Sequence, residues 1–419
     1  MRRTVWAVLL AAALPLLTLG WVRGAWRDPL RSYAFDFSIN YTGARLLSLR
    51  GPDRPLYDRP TLKAEAAPYT AFERLYTGLF LTYIQTPVTA VLTLPLAHLD
   101  FNDARLVFLI VSNALLVAAL GLMVVVLRPS PLLVLAAFVI LGTFEPMWES
   151  LRLGQVDGII VCCLALSFAG LRRRSAALTG LPLSLAAILK LSPVFVIGLF
   201  AWRRSWRVVG YAVAGLIGLM LLSVLVAGWQ NNVTFVRDMV PRLMHGSPWY
   251  YNVSIPGAVL RAYLGRAYWA FEDEPPPLPI AARVALVGLT VVIVVGGYYW
   301  TRGDAEVGFM YAVVAGILVS PVSWTFYTTW LTLSLLWLVR RYEDRQAWGR
   351  LAGLLPLYVL MTVKPDDLAR ISPDVHAVPL KAVVLLAYAG LVAWEARRSV
   401  PAAASPPLNP VPTLQAGHR

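Results

Sequence analysis

The sequence predicts an all-α polytopic membrane protein. Its expected form is one helical bundle of about 10–13 membrane helices, short and re-entrant segments included. Two observations predict it. Of the 419 residues 58% are hydrophobic and only 14% charged, with a mean hydropathy of +0.63. A soluble domain carries about 25% charged residues. The apolar residues also come in runs of spanning length, and a helix satisfies its own backbone in lipid. The net charge of +14 comes almost wholly from arginine, since the lysines are Lys63, Lys190, Lys364 and Lys381 alone. These arginines sit in short loops between apolar runs, the positive-inside pattern. No nucleic-acid partner is therefore expected. Cys162 and Cys163 are adjacent within an apolar run. They imply neither a disulfide framework nor a metal site. His98, His245, His376 and His418 lack ligand spacing, so no metal and no cofactor are assigned, although a divalent cation is compatible.

Taken in order, residues 4–22 read as an uncleaved first helix, because Leu19-Gly20-Trp21-Val22-Arg23 is a poor cleavage site. Residues 23–80 form a first outer loop with juxtamembrane helices, broken into turns near Gly51-Pro52 and Asp58-Arg59-Pro60. Residues 84–99 are apolar but short and carry Pro87 and Pro95. Spans are expected near 104–127, 131–148, 156–171, 206–228, 281–301, 306–320, 323–339, 350–363 and 377–395. Residues 176–202 are interrupted by Lys190-Leu191-Ser192-Pro193. A second outer loop covers residues 229–280, and residues 1–400 make one domain. Residues 401–419, rich in Pro and Ala, read as a disordered cytoplasmic tail.

Loop charge orients the chain. Arg172–Arg174, Arg203, Arg204, Arg207, Arg340, Arg341, Arg345, Arg397 and Arg398 all belong on the cytoplasmic side. One assignment satisfies them. Residues 84–99 return to the outer side, and residues 176–202 form a hairpin of two short arms with Lys190 near its tip. Each arm of roughly 12–14 residues reaches about 20 Å at 1.5 Å per residue, short of the ~30 Å core. Both termini are then cytoplasmic. Asp36, Gly154-Gln155-Val156-Asp157, Lys190, Tyr250–Ser254 and Ser320–Trp324 all fall at outer helix ends. That convergence predicts one outward-facing site at the surface of a cell membrane.

The residue types in these motifs suit chemistry on a charged lipid. Asp36 follows the first span, and a carboxylate there is either a general base or a helix cap. Lys190 interrupts apolar sequence, where an ionisable residue points to function and a snorkelling role is the alternative. Its point charge suits a phosphate. Asp157 at a helix start also suits the dipole. Trp249, Tyr250 and Tyr251 form either an interfacial belt or a platform for a sugar or prenyl chain.

The ordered set of motifs resembles glycosyltransferase family 87. Asp36-Phe37-Ser38-Ile39-Asn40-Tyr41 with Leu56-Tyr57-Asp58 resembles the family's D-x-x-V-Y … G-x-D-x-Y-D start. Thr86-Pro87 with Leu94-Pro95-Leu96-Ala97 resembles Y-x-P-P … P-L-A. Gly154–Asp157 resembles G-Q-x-N, and Lys190–Pro193 resembles K-x-x-P. Asn252-Val253-Ser254 with Arg261 resembles N-x-S … R, and Ser320–Trp324 resembles S-P-x-S-W. The likeness covers about residues 30–340. Two departures stand out: Asp157 replaces the family's Asn, and Thr325-Phe326-Tyr327 stands where members often carry His.

The resemblance implies a GT-C-type fold with its active site at the outer face. It implies transfer of a sugar, mannose or a pentose such as arabinofuranose, from a polyprenyl-phosphate donor to a hydroxyl of a lipid or glycan acceptor, with inversion. The family's acidic base maps to Asp36. The remaining expectations follow from both readings. Lys190, Arg45 and Arg261 are expected at the donor phosphate. Asn40, Tyr41, Tyr57, Gln155, Asp157, Asn252, Ser323, Trp324 and Tyr327 are expected around the sugar and acceptor. The alternative is a transporter or flippase of lipid-linked sugars, which predicts inverted repeats and polar residues at all depths.

Overall fold

A computed structural model describes residues 2–51, 55–68, 83–265, 276–371 and 379–398. The 401–419 tail lies outside the described residues. Among those described the chain is helical throughout, with one isolated β-bridge between Asn252 and Trp324.

The first helix, α1 (Arg2–Trp21), runs through a π-helical turn to Arg31. Three short helices follow: α2 (Phe35–Arg50), α3 (Arg59–Ala66) and α4 (Pro87–Thr93). The helix α5 (Phe101–Val126) crosses the bundle, and α6 (Pro131–Thr143) returns to α7 (Glu145–Leu153). Next come α8 (Asp157–Arg172), α9 (Ala176–Leu189), α10 (Val194–Trp202) and α11 (Trp206–Ala227). After α12 (Trp229–Thr234) and α13 (Ile255–Leu264), α14 starts at Ile280 and runs through a π-turn to Trp300. The chain finishes with α15 (Ala305–Val319), α16 (Leu331–Asp344), α17 (Trp348–Thr362) and α18 (Leu380–Trp394).

By length and composition α5, α11 and Ile280–Trp300 can each cross a membrane. The chain is an all-α membrane bundle. Its core centres on α15, whose residues Val307–Val319 are all buried, as befits a helix apolar on every side. By contrast, most of α11 and α14 faces outward.

The helices alternate between two ends of the bundle. Tight Schellman turns make this possible: Arg174 and Arg204 adopt left-handed φ of 54° and 56°, and Ser175 and Ser205 donate back to Gly170 and Phe200. The arginines of the turns after α8 and α16 collect at one end. Arg172 pairs with Glu306 at 3.1 Å, Arg341 with Asp304 at 3.1 Å, and Arg341, Arg345 and Arg350 surround the buried Glu395. Asp157 and Lys190 lie at the other end of α8 and α9, about 20 Å away by helical rise.

Three local expectations are refined. The span expected at 131–148 is bent by 48° between two helices, Pro131–Thr143 and Glu145–Leu153. Phe144 is extended and Pro146 has no N–H to continue the ladder. The second arm of the 176–202 hairpin has 9 residues, shorter than expected, because Leu191–Pro193 are used in the turn. The 323–339 segment begins as a 3-10 helix, Thr325–Trp330.

Packing of α1 against α6 rests on two glycines. A Cβ on Gly142 would lie 2.5 Å from the Leu17 carbonyl oxygen, and one on Gly20 would meet the Gly142 carbonyl oxygen. Small residues allow such close approach in membranes. Gly142→Leu is expected to destabilise the bundle by about 1–3 kcal/mol or more. A thermal midpoint in detergent equal to wild type would contradict it.

Candidate functional site

Asp36 occupies the first turn of α2, and the backbone before it is unusual. Ala34 has φ 46°, a left-handed conformation for a non-glycine residue. The turn is held from several sides. Ser32 Oγ donates to the Arg152 carbonyl and accepts from the Ala34 N–H at 3.0 Å, while Arg105 donates to the Ser32 carbonyl. Gly154, at φ 70°, ends α7 directly against this turn, and a Cβ there would strike that of Phe37. The glycine thus brings Gln155 onto Asp36, whose carboxylate it hydrogen bonds.

Burial pushes the Asp36 carboxyl up to about 6, against the opposing pull of the Gln155 hydrogen bond and the Lys190 charge. The Asp157 charge adds a smaller upward push.

Asp36 lines a cavity of about 670 Å³. Its polar lining includes Asp36, Gln155, Lys190, Ser320, Trp324 and Tyr327. Apolar side chains make most of the remaining wall. They come from Leu189–Phe195, from Leu243 and Met244, and from one face of α14 at Leu286, Val287 and Val291.

Behind the polar lining lies a buried ion pair. Lys190 Nζ donates to Asp157 Oδ1 at 3.1 Å, and the two side chains are 4% and 0% exposed. Asp157 also accepts from Trp330 Nε1 at 2.8 Å and Ser150 Oγ at 3.0 Å. The ammonium lies 3.8 Å from the Tyr327 ring centre and 4.7 Å from that of Phe326, close enough for cation–π attraction. Tyr327 stacks on Trp330 at 5.1 Å.

The sequence profile of glycosyltransferase family 87 matches residues 83–321. The chain belongs to glycosyltransferase family 87. It is a membrane glycosyltransferase. Its relatives include the polyprenol-phosphate-mannose-dependent alpha-(1-2)-phosphatidylinositol mannoside mannosyltransferase of Mycobacterium tuberculosis, 26% identical over 402 residues, which cover 88% of this chain and 84% of the relative. A protein of the same description from Mycolicibacterium smegmatis is 26% identical over 324 residues, 69% of this chain and 70% of the relative. A pentamannoside mannosyltransferase of that organism is 26% identical over 251 residues, 59% and 58% of the two chains.

In this family-87 chain the residues singled out from sequence divide into three groups. Asp36, Gln155, Lys190, Trp324 and Tyr327 line one cavity, with Asp157 directly behind. Asn252, Ser323 and Arg261 stand beside it as scaffold. Asn252 Nδ2 donates to the Ser247 and Pro321 carbonyls at 2.8 and 2.9 Å, and its Oδ1 accepts from the Ser254 and Ser323 N–H groups. Arg261 donates to the Trp249 and Asn252 carbonyls, each at 2.9 Å. Each stranded buried partner costs about 1–3 kcal/mol. Asn252→Ala is therefore expected to lower the unfolding midpoint and to loosen the 247–254 loop towards proteolysis; an unchanged midpoint would count against the scaffold role.

The third group faces elsewhere. Tyr41 packs with Phe37 and Phe101 and donates to the Leu99 carbonyl at 2.6 Å. Arg45 pairs with Glu65 at 3.0 Å. Tyr57 donates to the Gln85 carbonyl at 2.9 Å. Asn40 is buried one turn beyond Asp36, and among the described residues its Oδ1 has no hydrogen-bond partner.

Sequence reasoning passed over Gln85, His245 and Arg283, which also line the cavity. It also passed over Glu149, which accepts from Thr325 Oγ1 at 2.6 Å. An isolated polar or charged residue outside any motif gives no spacing signal. Among the described residues no group of three or more His, Cys, Asp or Glu is placed to hold a metal.

Proposed function

We propose that the chain moves a sugar, mannose or a pentose such as arabinofuranose, from a polyprenyl-phosphate donor to a hydroxyl of a lipid or glycan acceptor at the outer face of the cell membrane. Asp36 acts as general base. Its carboxylate takes the acceptor proton as the acceptor oxygen attacks the anomeric carbon. The bond from that carbon to the phosphate oxygen breaks, and polyprenyl phosphate leaves with the electron pair. Attack opposite the leaving group inverts the anomeric centre. Gln155 holds the carboxylate, while Trp324 offers a flat face and Tyr327 an edge to a sugar ring.

The observation that carries this reading is Asp36 itself. It is the carboxylate that lines the cavity, in a family-87 chain whose relatives are named for a polyprenol-phosphate-mannose donor. A base poised near 6 is ionised at neutral pH yet able to take a proton. The cavity's large apolar wall suits a prenyl chain. The opposite orientation of the arginine-rich end supports an outer-facing site.

A transporter is less well supported, since no residue lining the cavity comes from the arginine-rich loops at the opposite end. The test is transfer from radiolabelled polyprenyl-phosphate mannose and polyprenyl-phosphate arabinofuranose to membrane lipid and glycan. Label moved by wild type identifies the donor. No transfer from any polyprenyl-phosphate sugar, by protein that binds them, would replace the enzyme reading with transport.

A further inference from the structure

Two strongly basic side chains line the cavity, Lys190 and Arg283. They are in opposite electrostatic states. Lys190 is neutralised by Asp157 at 3.1 Å and covered by the rings of Tyr327 and Phe326. To hold a phosphate it would have to leave a buried counter-ion, which is costly. The other two arginines expected at the phosphate are engaged outside the cavity, Arg45 with Glu65 and Arg261 with two carbonyls.

Arg283 differs on every count. It is exposed, and among the described residues no hydrogen bond or ion pair engages its guanidinium. It stands one turn into α14, whose first turn holds no acidic residue. The start of a helix already carries partial positive charge, where anions are favoured and cations are not. An arginine placed there adds to the positive field. Just beyond it on the same helix, Leu286, Val287 and Val291 give the cavity an apolar strip. Positive charge and apolar strip follow each other along one helix, in the order of a phosphate headgroup and its hydrocarbon chain.

We infer that Arg283 binds the phosphate of the lipid-linked donor, with the apolar strip of α14 taking the first prenyl units, and that Lys190 serves as an internal counter-ion and ring support. The assignment rests on the donor class proposed above. The planar guanidinium donates two parallel hydrogen bonds to phosphate oxygens and retains its charge throughout. After transfer the same fork holds the departing polyprenyl phosphate, whose negative charge has increased.

Binding of undecaprenyl phosphate and of undecaprenol to the protein in phosphatidylcholine nanodiscs tests it. Wild type is expected to prefer the phosphate, and Asp36→Asn to keep that preference. Arg283→Gln should weaken phosphate binding roughly 10- to 100-fold and leave the alcohol unchanged. Arg283→Lys should fall between, having the charge without the fork. Because Arg283 makes no side-chain bond among the described residues, these variants are expected to fold, which a thermal midpoint near that of wild type checks. Wild-type affinity in Arg283→Gln, as expected of an arginine that meets only bilayer headgroups, overturns the inference while leaving Asp36 chemistry intact. A wild type that does not distinguish phosphate from alcohol removes the donor class itself, and this assignment with it.

Discussion

Asp36→Asn is expected to leave a folded protein whose transfer rate is reduced about 10²–10⁴-fold, the usual contribution of a positioned base. The amide keeps the shape of the side chain and can still hydrogen bond to Gln155. What it loses is the ability to take the acceptor proton. The pH dependence gives an independent readout. Desolvation is the largest influence on Asp36 and sets its carboxyl near 6. The base works ionised, so transfer is full above that value and falls about tenfold per unit below it. A rate that stays flat from about pH 8 to about pH 5 would remove Asp36 as the base. Undiminished transfer by Asp36→Asn would do the same.

The second large effect concerns the pair behind the cavity. Lys190→Met should destabilise the protein by about 3–5 kcal/mol, because it strands a carboxylate that has no solvent to turn to. The side chain of Asp157 is 0% exposed, so screening by water offers little relief. Combining Lys190→Met with Asp157→Asn should restore much of the loss. The introduced amide oxygen can still accept from Trp330 and Ser150, and no net charge remains buried. The double variant is therefore expected to unfold at a higher temperature than Lys190→Met alone. Additive losses would mean that the two residues do not act as a pair. Because Lys190 also supports the Tyr327 ring at 3.8 Å, the double variant should retain stability better than it retains transfer.

Much of this protein was fixed locally by composition and short-range pattern. Apolar runs with few charges must satisfy their backbones internally, so the helical membrane bundle was legible from residue order alone. The arginine loops marked one end of the helices, and the arginine-rich turns do collect there, from Arg172 to Glu395. The motif order was also legible. Asp36, Gln155, Lys190, Trp324 and Tyr327 were singled out from four separate stretches, and all five line one cavity.

Which way each side chain is engaged depended on contacts far apart in sequence. Lys190 and Asp157 are 33 positions apart, and Trp330 lies 173 beyond Asp157. Only packing of α8, α9 and the 3-10 turn makes Lys190 a neutralised charge. Tyr41 and Tyr57 looked like pocket aromatics, yet helical phase turned Tyr41 towards Phe101, and the Gln85 carbonyl engaged the Tyr57 hydroxyl. Asn252 and Arg261 became scaffold because buried carbonyls and N–H groups of two loops had to be paired, and these side chains were the nearest partners. Arg283 was hidden for the converse reason. A charge is recognised as available only once every group around it has been placed. The sequence determined the fold class and the set of residues near the site, since those follow from hydropathy and local motif. The tertiary structure decided which of them face the cavity and which charges remain unpaired, because burial and pairing are properties of the whole packed bundle.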